Sequence, residues 1–429
     1  MLSMAYRPGY PRPRRTRTST LWILLILLLA LTFFTFSRSP AGGQGTPTAS
    51  SQPGSMLGSP TTGPTAALAV SPSATFSATR SGLPPTPFVA TTTYAGPAPS
   101  STSTVTALPT GTGGDITAYF TCPAVAHPCP AGWQDPLQPF LATLNSAQKS
   151  IDMAMYNLNL QPVAQALLAA KARGVSVRLV TDSDALDGPV LQDLKAKGVP
   201  VLGDGREALM HDKFTVIDGT DVWTGSLNLT ETGLAEDNNN LVRLRSPQLA
   251  QDYSREFEEM FVYGEFGPGS PANTPFPQLT IGAFPLQVYF SPEDGVLVHV
   301  LNAVRGAKSS IHFLAYSFTS DDLAQQMLAA HARGVAIAGV FETAQERSNT
   351  GTEYTRLKNA GLDVRLDGNP GQMHHKVIII DRRLVIFGSY NFSASAEKEN
   401  DENLIILDDP AIAEQFESEF QRVSALASP

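Results

Sequence analysis

The chain has 429 residues, 42% hydrophobic and 16% charged, with 30 Lys and Arg against 39 Asp and Glu for a formal net charge of -9. That apolar share supports packed cores and excludes a collagen-like or wholly disordered chain, and two Cys exclude a disulfide-dense scaffold or a four-cysteine zinc site. Residues 1–114 hold seven Arg and no Asp, Glu or Lys, leaving 23 basic against 39 acidic residues from 115 onward, a net of -16.

Residues 1–19 are a basic arm with five Arg. The run TLWILLILLLALTFFTF (20–36) is uncharged and apolar over 17 residues. As a helix it would measure roughly 25 Å, enough for a transmembrane signal-anchor in a slightly thinned bilayer. The Arg residues before it place the N-terminus in the cytoplasm and the remainder outside. A cleaved signal peptide is the alternative, which would leave a secreted protein; its best cleavage site, Ser39-Pro40-Ala41, contains a proline. Residues 37–114 are almost entirely Ser, Thr, Pro, Gly and Ala. They cannot bury enough apolar surface to offset their ordering entropy and read as a disordered linker. Cys122 and Cys129, in CPAVAHPC, read as a small disulfide-closed loop of an exported protein.

Beyond 114 the chain is an internal repeat. KSIDMAMYNL (149–158) returns as SSIHFLAYSF (309–318), ALLAAKARGVSVRLVTD (166–182) as QMLAAHARGVAIAGVFE (326–342), and LKAKGVPV (194–201) as LKNAGLDV (357–364). The first repeat spans 115–265, a Pro/Gly-rich connector 266–283, and the second repeat 284–426. Each copy reads strand, helix, strand, helix, strand. The segment 162–173 has apolar residues at helical spacing and stops at Gly174, and VSVRLVTD follows as a buried strand. Alternating elements predict an α/β/α sandwich in each half, the two packed about a pseudo-twofold axis within one monomeric chain.

At the same place in each repeat stand HDKFTVIDGTDVWTGSLN (211–228) and HHKVIIIDRRLVIFGSYN (374–391). Both contain H-x-K-x4-D followed by G-S-x-N. His211 and Lys213, like His374 and Lys376, are two apart on a predicted strand and share a face. Gly225 and Gly388 permit close backbone approach. Ser226, Asn228, Ser389 and Asn391 offer hydrogen-bond donors to the oxygens of a phosphate. Two Lys and neutral donors around a His pair make a site for a tetrahedral anion, and no Asp/His cluster has metal spacing. His375 points to the opposite strand face. Tyr156 and Tyr316 end equivalent strands and belong either to the core or to the cleft.

These residues closely resemble the doubled signature of the phospholipase D superfamily, over both repeats. The resemblance implies a phosphodiesterase needing no metal or other cofactor, with one active site between the halves. One His attacks phosphorus to give a phosphohistidine; the other protonates the leaving alcohol and then activates water. It assigns His211 as nucleophile and His374 as acid/base, and makes Asp218 and Asp381 structural. The family's supporting acidic residue has its counterpart in Glu402, 14 residues after Gly388, whereas the first repeat has Asn239 at that position. Pairing of Glu402 with either His stays open. So does the substrate: phospholipid hydrolysis, nuclease action on DNA or RNA, phosphatidyl transfer of the cardiolipin-synthase type, and a non-catalytic binding module all fit the motif. The acidic catalytic part and the tether to a bilayer favour phospholipid.

Overall fold

The computed structural model describes residues 115–123, 129 and 133–428. The basic arm, the signal-anchor and the linker lie outside the described residues. Among those described, no helix is long and apolar enough to cross a membrane.

The first half runs β1 (Ile116–Phe120), α1 (Leu137–Ser146), β2 (Ser150–Met155), α2 (Gln161–Ala172), β3 (Ser176–Thr181), α3 (Pro189–Ala196), β4 (Val201–Gly203), β5 (Lys213–Ile217), β6 (Asp221–Gly225), α4 (Glu231–Ala235), β7 (Asn240–Arg245) and α5 (Pro247–Glu258). The second half runs β8 (Gln278–Ile281), β9 (Phe284–Ser291), α6 (Val296–Gly306), β10 (Ser310–Ala315), α7 (Asp321–Ala332), β11 (Ala336–Phe341), α8 (Thr343–Ser348), α9 (Tyr354–Asn359), β12 (Asp363–Leu366), β13 (Lys376–Ile380), β14 (Leu384–Gly388), α10 (Ala394–Lys398), β15 (Glu402–Asp408) and α11 (Pro410–Ser424).

Each half builds a mixed sheet, and the two sheets repeat strand for strand. The first has the order β1-β7-β6-β5-β2-β3-β4; the second, read from its other edge, is β8-β9-β15-β14-β13-β10-β11-β12. The β2/β3 and β10/β11 pairs are parallel, as a helical crossover requires, and the hairpins β5/β6 and β13/β14 are antiparallel. The additional strand β8 comes from the Pro/Gly-rich connector and folds back on β9 through Gly282.

Local sequence explains the crossovers. In α2, Val163, Ala164, Ala166, Leu167 and Ala170 form the buried stripe, and Gly174 ends the helix at φ 91°. Gly334 ends α7 with the same φ. The outer face of each sheet packs against its own crossover helices, around Leu167 and Trp223 in the first half and Met327 and Phe313 in the second. The inner faces share one core, in which Val216, Val242, Ile379 and Ile405 meet the apolar sides of α5 and α11.

The halves join through a reciprocal seam. Met210 bridges Asp401, and Asn238 bridges Met373. His211 N donates to Asp401 O at 2.9 Å and Asp401 N to Leu209 O at 3.0 Å; in the mirror contact, His374 N donates to Asn238 O at 2.9 Å and Asn238 N to Gln372 O at 2.7 Å. Equivalent residues exchange equivalent bonds, as a twofold interface demands.

Candidate active site

The seam delivers both His-Lys pairs to one place. The histidines immediately precede β5 and β13, and the lysines open those strands. All four side chains are buried, and they act on one another electrostatically. Each lysine Nζ donates to the carbonyl of its own motif His at 2.7 Å, Lys213 to His211 and Lys376 to His374.

The partner of each His comes from the opposite half. His211 Nδ1 is 2.8 Å from Glu402 Oε2, and His374 Nδ1 is 2.9 Å from Asn239 Oδ1 and 3.1 Å from Ser226 O. Asn239 is held in that orientation because its Nδ2 donates to Gly233 O at 2.9 Å. All three partners are acceptors, so each imidazole carries its proton on Nδ1 and keeps the Nε2 lone pair for chemistry. Burial, followed by the two nearby lysines, holds both imidazoles well below their ordinary pKa, and hence neutral. Burial also lifts Glu402 to about 7, against the pull of Lys213 and of hydrogen bonds from Ser389 and Asn400.

The lysines are under strain of the same kind. Burial lowers Lys213 to about 8, although Glu402, Asp212 and Asp182 oppose the shift. Lys376 is driven well below its usual value, first by burial and then by Lys213. Two ammonium groups that repel each other away from water are stabilised by an anion placed between them.

Of the four predicted phosphate donors, the structure separates two from two. Ser226 and Ser389 are wholly buried behind the histidines. Ser226 Oγ donates to Asn239 Oδ1 at 2.9 Å and accepts from Asn240 N at 3.1 Å. Ser389 accepts from Asn403 N at 3.0 Å and hydrogen-bonds Glu402. Their hydroxyls are thus engaged with the residues that support the His pair. Asn228 and Asn391 are half-buried, and the Oδ1 of each is shielded from water without a hydrogen-bond partner.

Gly225 and Gly388 lie where their strands close on the neighbouring strand. A Cβ on Gly225 would come within 2.4 Å of Asn240 O, and one on Gly388 within 2.2 Å of Asn403 O. Asp218 and Asp381 sit in the hairpin turns at φ 55° and 54°. The Asp218 carboxylate accepts from the backbone of Gln148, Lys149 and Ser150, and Asp381 from Lys308, Ser309 and Ser310. Cys122 and Cys129 are disulfide-bonded, with Cα atoms 5.7 Å apart.

Several groups escape the motif reading. Tyr156 and Tyr316 flank the His-Lys pairs: their rings lie edge-on to His211 and His374 at 5.1 and 4.5 Å, and Lys213 and Lys376 sit 5.1 and 4.4 Å from the same rings. The signal was their equivalent position, but a strand-end tyrosine is equally at home in a core. The variable residue of H-x-K also matters. Asp212 Oδ1 accepts from Asn403 Nδ2 at 2.6 Å, and at the equivalent place His375 Nδ1 meets Asn240 Nδ2 at 2.9 Å.

The sequence matches a family model described as "Cardiolipin synthase, PLD-like domain" over residues 140–261 and 300–424. A stretch of 130 residues, 30% of the chain, is 37% identical to a phospholipase D of Rickettsia conorii, of which it covers 63%. Human mitochondrial cardiolipin hydrolase is 34% identical over 130 residues, covering 30% of this chain and 51% of that protein. The chain therefore spans less than two thirds of the length of these relatives. Among solved structures, phosphatidylserine synthase of Haemophilus influenzae shares the fold with a TM-score of 0.54 at 11% identity, over 68% of this chain and 84% of that one. With both copies matched and more than half of its length accounted for, the chain belongs to the phospholipase D superfamily.

Proposed function

We propose that the protein is a phospholipase D-type phosphodiesterase that cleaves the head-group ester of a membrane phospholipid through a covalent phosphohistidine. The crossed support of the two histidines carries this reading: His211 has a carboxylate behind it and His374 only neutral acceptors. A carboxylate on Nδ1–H stabilises the positive imidazole that forms when Nε2 bonds to phosphorus, which suits His211 as nucleophile.

In the first step His211 Nε2 forms a bond to phosphorus while the bond to the head-group oxygen breaks. That oxygen takes a proton from His374 Nε2. The negative charge of the bound diester offsets the two lysines and allows His374 to carry this proton. In the second step His374 takes a proton from water, the hydroxide displaces His211 from phosphorus, and phosphatidic acid leaves. Lys213 and Lys376 stabilise the charge on the non-bridging oxygens in both transition states, and Asn228 and Asn391 are the remaining candidate donors. No step needs a metal ion at the phosphate.

Lipid is favoured over nucleic acid by charge. Residues 115–429 carry a net of -16, and Asp182, Asp237 and Glu342 act on the two lysines. Such a field accepts one phosphodiester and opposes the flanking phosphates of a polymer. The relatives named for phospholipase D and cardiolipin hydrolase activity point the same way. The test compares head-group release from phospholipid vesicles with degradation of single- and double-stranded DNA, in EDTA and below the unfolding temperature. An alkaline quench with peptide mass spectrometry locates the phosphohistidine on the His211 peptide. DNA cleavage without lipid turnover, or phosphate on the His374 peptide alone, overturns the respective assignment.

A further inference from the structure

Behind the catalytic strands the two halves are alike in shape and differ in charge. Helices α5 and α11 align residue for residue from Pro247 and Pro410, so that Glu256 corresponds to Glu419 and Glu259 to Arg422. Asp212 corresponds likewise to His375. In the second half the group is compensated internally. Glu419 Oε1 takes Arg422 Nη2 at 2.6 Å and His375 Nε2 at 3.0 Å; Glu419 and His375 are buried and Arg422 is half-buried. In the first half the arginine and the histidine are each replaced by a carboxylate, and Glu293 adds another.

Glu256 and Glu259 are each only 3% exposed. One oxygen from each of Glu256, Glu259 and Glu293 lies within 4.8 Å of the others. Glu259 is supported by a hydrogen bond from Asn273 and the charge of Arg255, whereas Glu256 and Glu293 are acted on by other carboxylates. Two oxygens point further to a missing ligand. Glu293 Oε2 is shielded from water without a hydrogen-bond partner, and so is Oδ2 of Asp212, a residue that is 0% exposed. The Asp212 carboxylate acts electrostatically on both Glu256 and Glu293.

Buried like charges must either take up protons or acquire a cation. Glu256 and Glu293 can share a proton, and burial with mutual repulsion lifts Glu293 to about 8. One shared proton still leaves Glu293 Oε2 and Asp212 Oδ2 without a partner, beside a Glu259 carboxylate that a hydrogen bond from Asn273 and the charge of Arg255 favour. A hard cation answers all of them. Calcium takes six to eight oxygens at about 2.3–2.6 Å, so opposed ligands stand about 4.8 Å apart, and three carboxylates with water complete its shell. Glu293 is half-buried, which leaves an approach from solvent.

We propose that Glu256, Glu259 and Glu293, with the charge of Asp212 beside them, bind a calcium ion that replaces in the first half the guanidinium of Arg422 in the second. The ion is structural. It lies behind the strands that carry His211, and the Asp212–Asn403 bond links it to the segment that presents Glu402. It takes no part in the chemistry at phosphorus.

The full-length protein, purified in detergent and stripped with chelator, is titrated with calcium chloride by calorimetry and followed by thermal unfolding. One calcium per chain is expected to bind, and a hundred-fold excess over Kd to raise the unfolding midpoint by about 5 °C, while magnesium at equal concentration gives a smaller shift. Glu259→Arg, which copies the compensation of the second half, should raise the midpoint of the chelated protein and abolish the calcium response. Glu293→Gln should keep the fold and weaken calcium binding at least tenfold; it decides the matter if Glu259→Arg does not fold. Absence of stoichiometric binding overturns the proposal. So does an undiminished calcium response in Glu293→Gln, or stabilisation by mild acid with no effect of calcium, which would assign the cluster to protons alone. These readouts do not use turnover, so they stand apart from the test of the reaction.

Discussion

On the proposed mechanism, replacing Glu402 by Gln removes the charge that would support a phosphorylated His211. Turnover should fall about 100-fold, against about 10-fold for Asn239→Ala; equal losses in kcat would refute the asymmetry between the histidines. The lysines set a second expectation. Lys213 assists an anionic transition state only while protonated, and its pKa is lowered to about 8. In the free enzyme kcat/KM should therefore decline as pH rises through that value, and Lys213→Arg, always charged, should remove the decline while lowering the maximum. The doubling of H-x-K made these four residues legible in the sequence. Which His meets Glu402 was not, because it depends on a seam between residues about 190 positions apart. Spacing also put Ser226 and Ser389 on the catalytic face without showing that Asn239, Asn240, Glu402 and Asn403 engage their hydroxyls.

At the scale of elements, the tightest constraints are the glycines of the second hairpin strands and the aspartates of the turns. Gly388→Ala would press a methyl group into Asn403 O. A loss of about 2–4 kcal/mol is expected from overpacking and positive-φ strain, read by urea denaturation. Asp381 belongs to the turn, where backbone N–H groups outweigh burial and hold its carboxyl below the ordinary value. Its stabilising effect is therefore present above an unfolded pKa of about 4 and lost as pH falls through the folded value. Solvent screening limits it to about 1 kcal/mol, so Asp381→Asn should cost that much at pH 7 and little at pH 3. The helix α2, its glycine stop and the strand after it were legible because apolar period and turn chemistry agree. Strand β8 was not: Gln278–Ile281 lies in a Pro/Gly-rich stretch, and only the partner β9 makes it a strand.

For the whole molecule the expectation concerns charge. A catalytic part with a net of -16 should bind duplex DNA no more tightly than about 10⁻⁴ M at physiological salt, the weak end of non-specific binding. Fluorescence anisotropy would detect a stronger interaction and with it a nuclease. The strand-for-strand repeat also has a consequence for how the site could specialise. Two identical subunits meeting on a twofold must give both histidines the same neighbour. Within one continuous chain that obligation lapses, so position 402 can be Glu while position 239 is Asn, and two like residues can divide unlike duties. The crossing adds a reciprocal dependence: a change at either position alters the histidine of the other copy, so neither half can drift alone. Joining the two copies in one chain thereby lets a symmetric pair take on the polarity that the proposed mechanism requires, a nucleophilic end and a proton-transferring end.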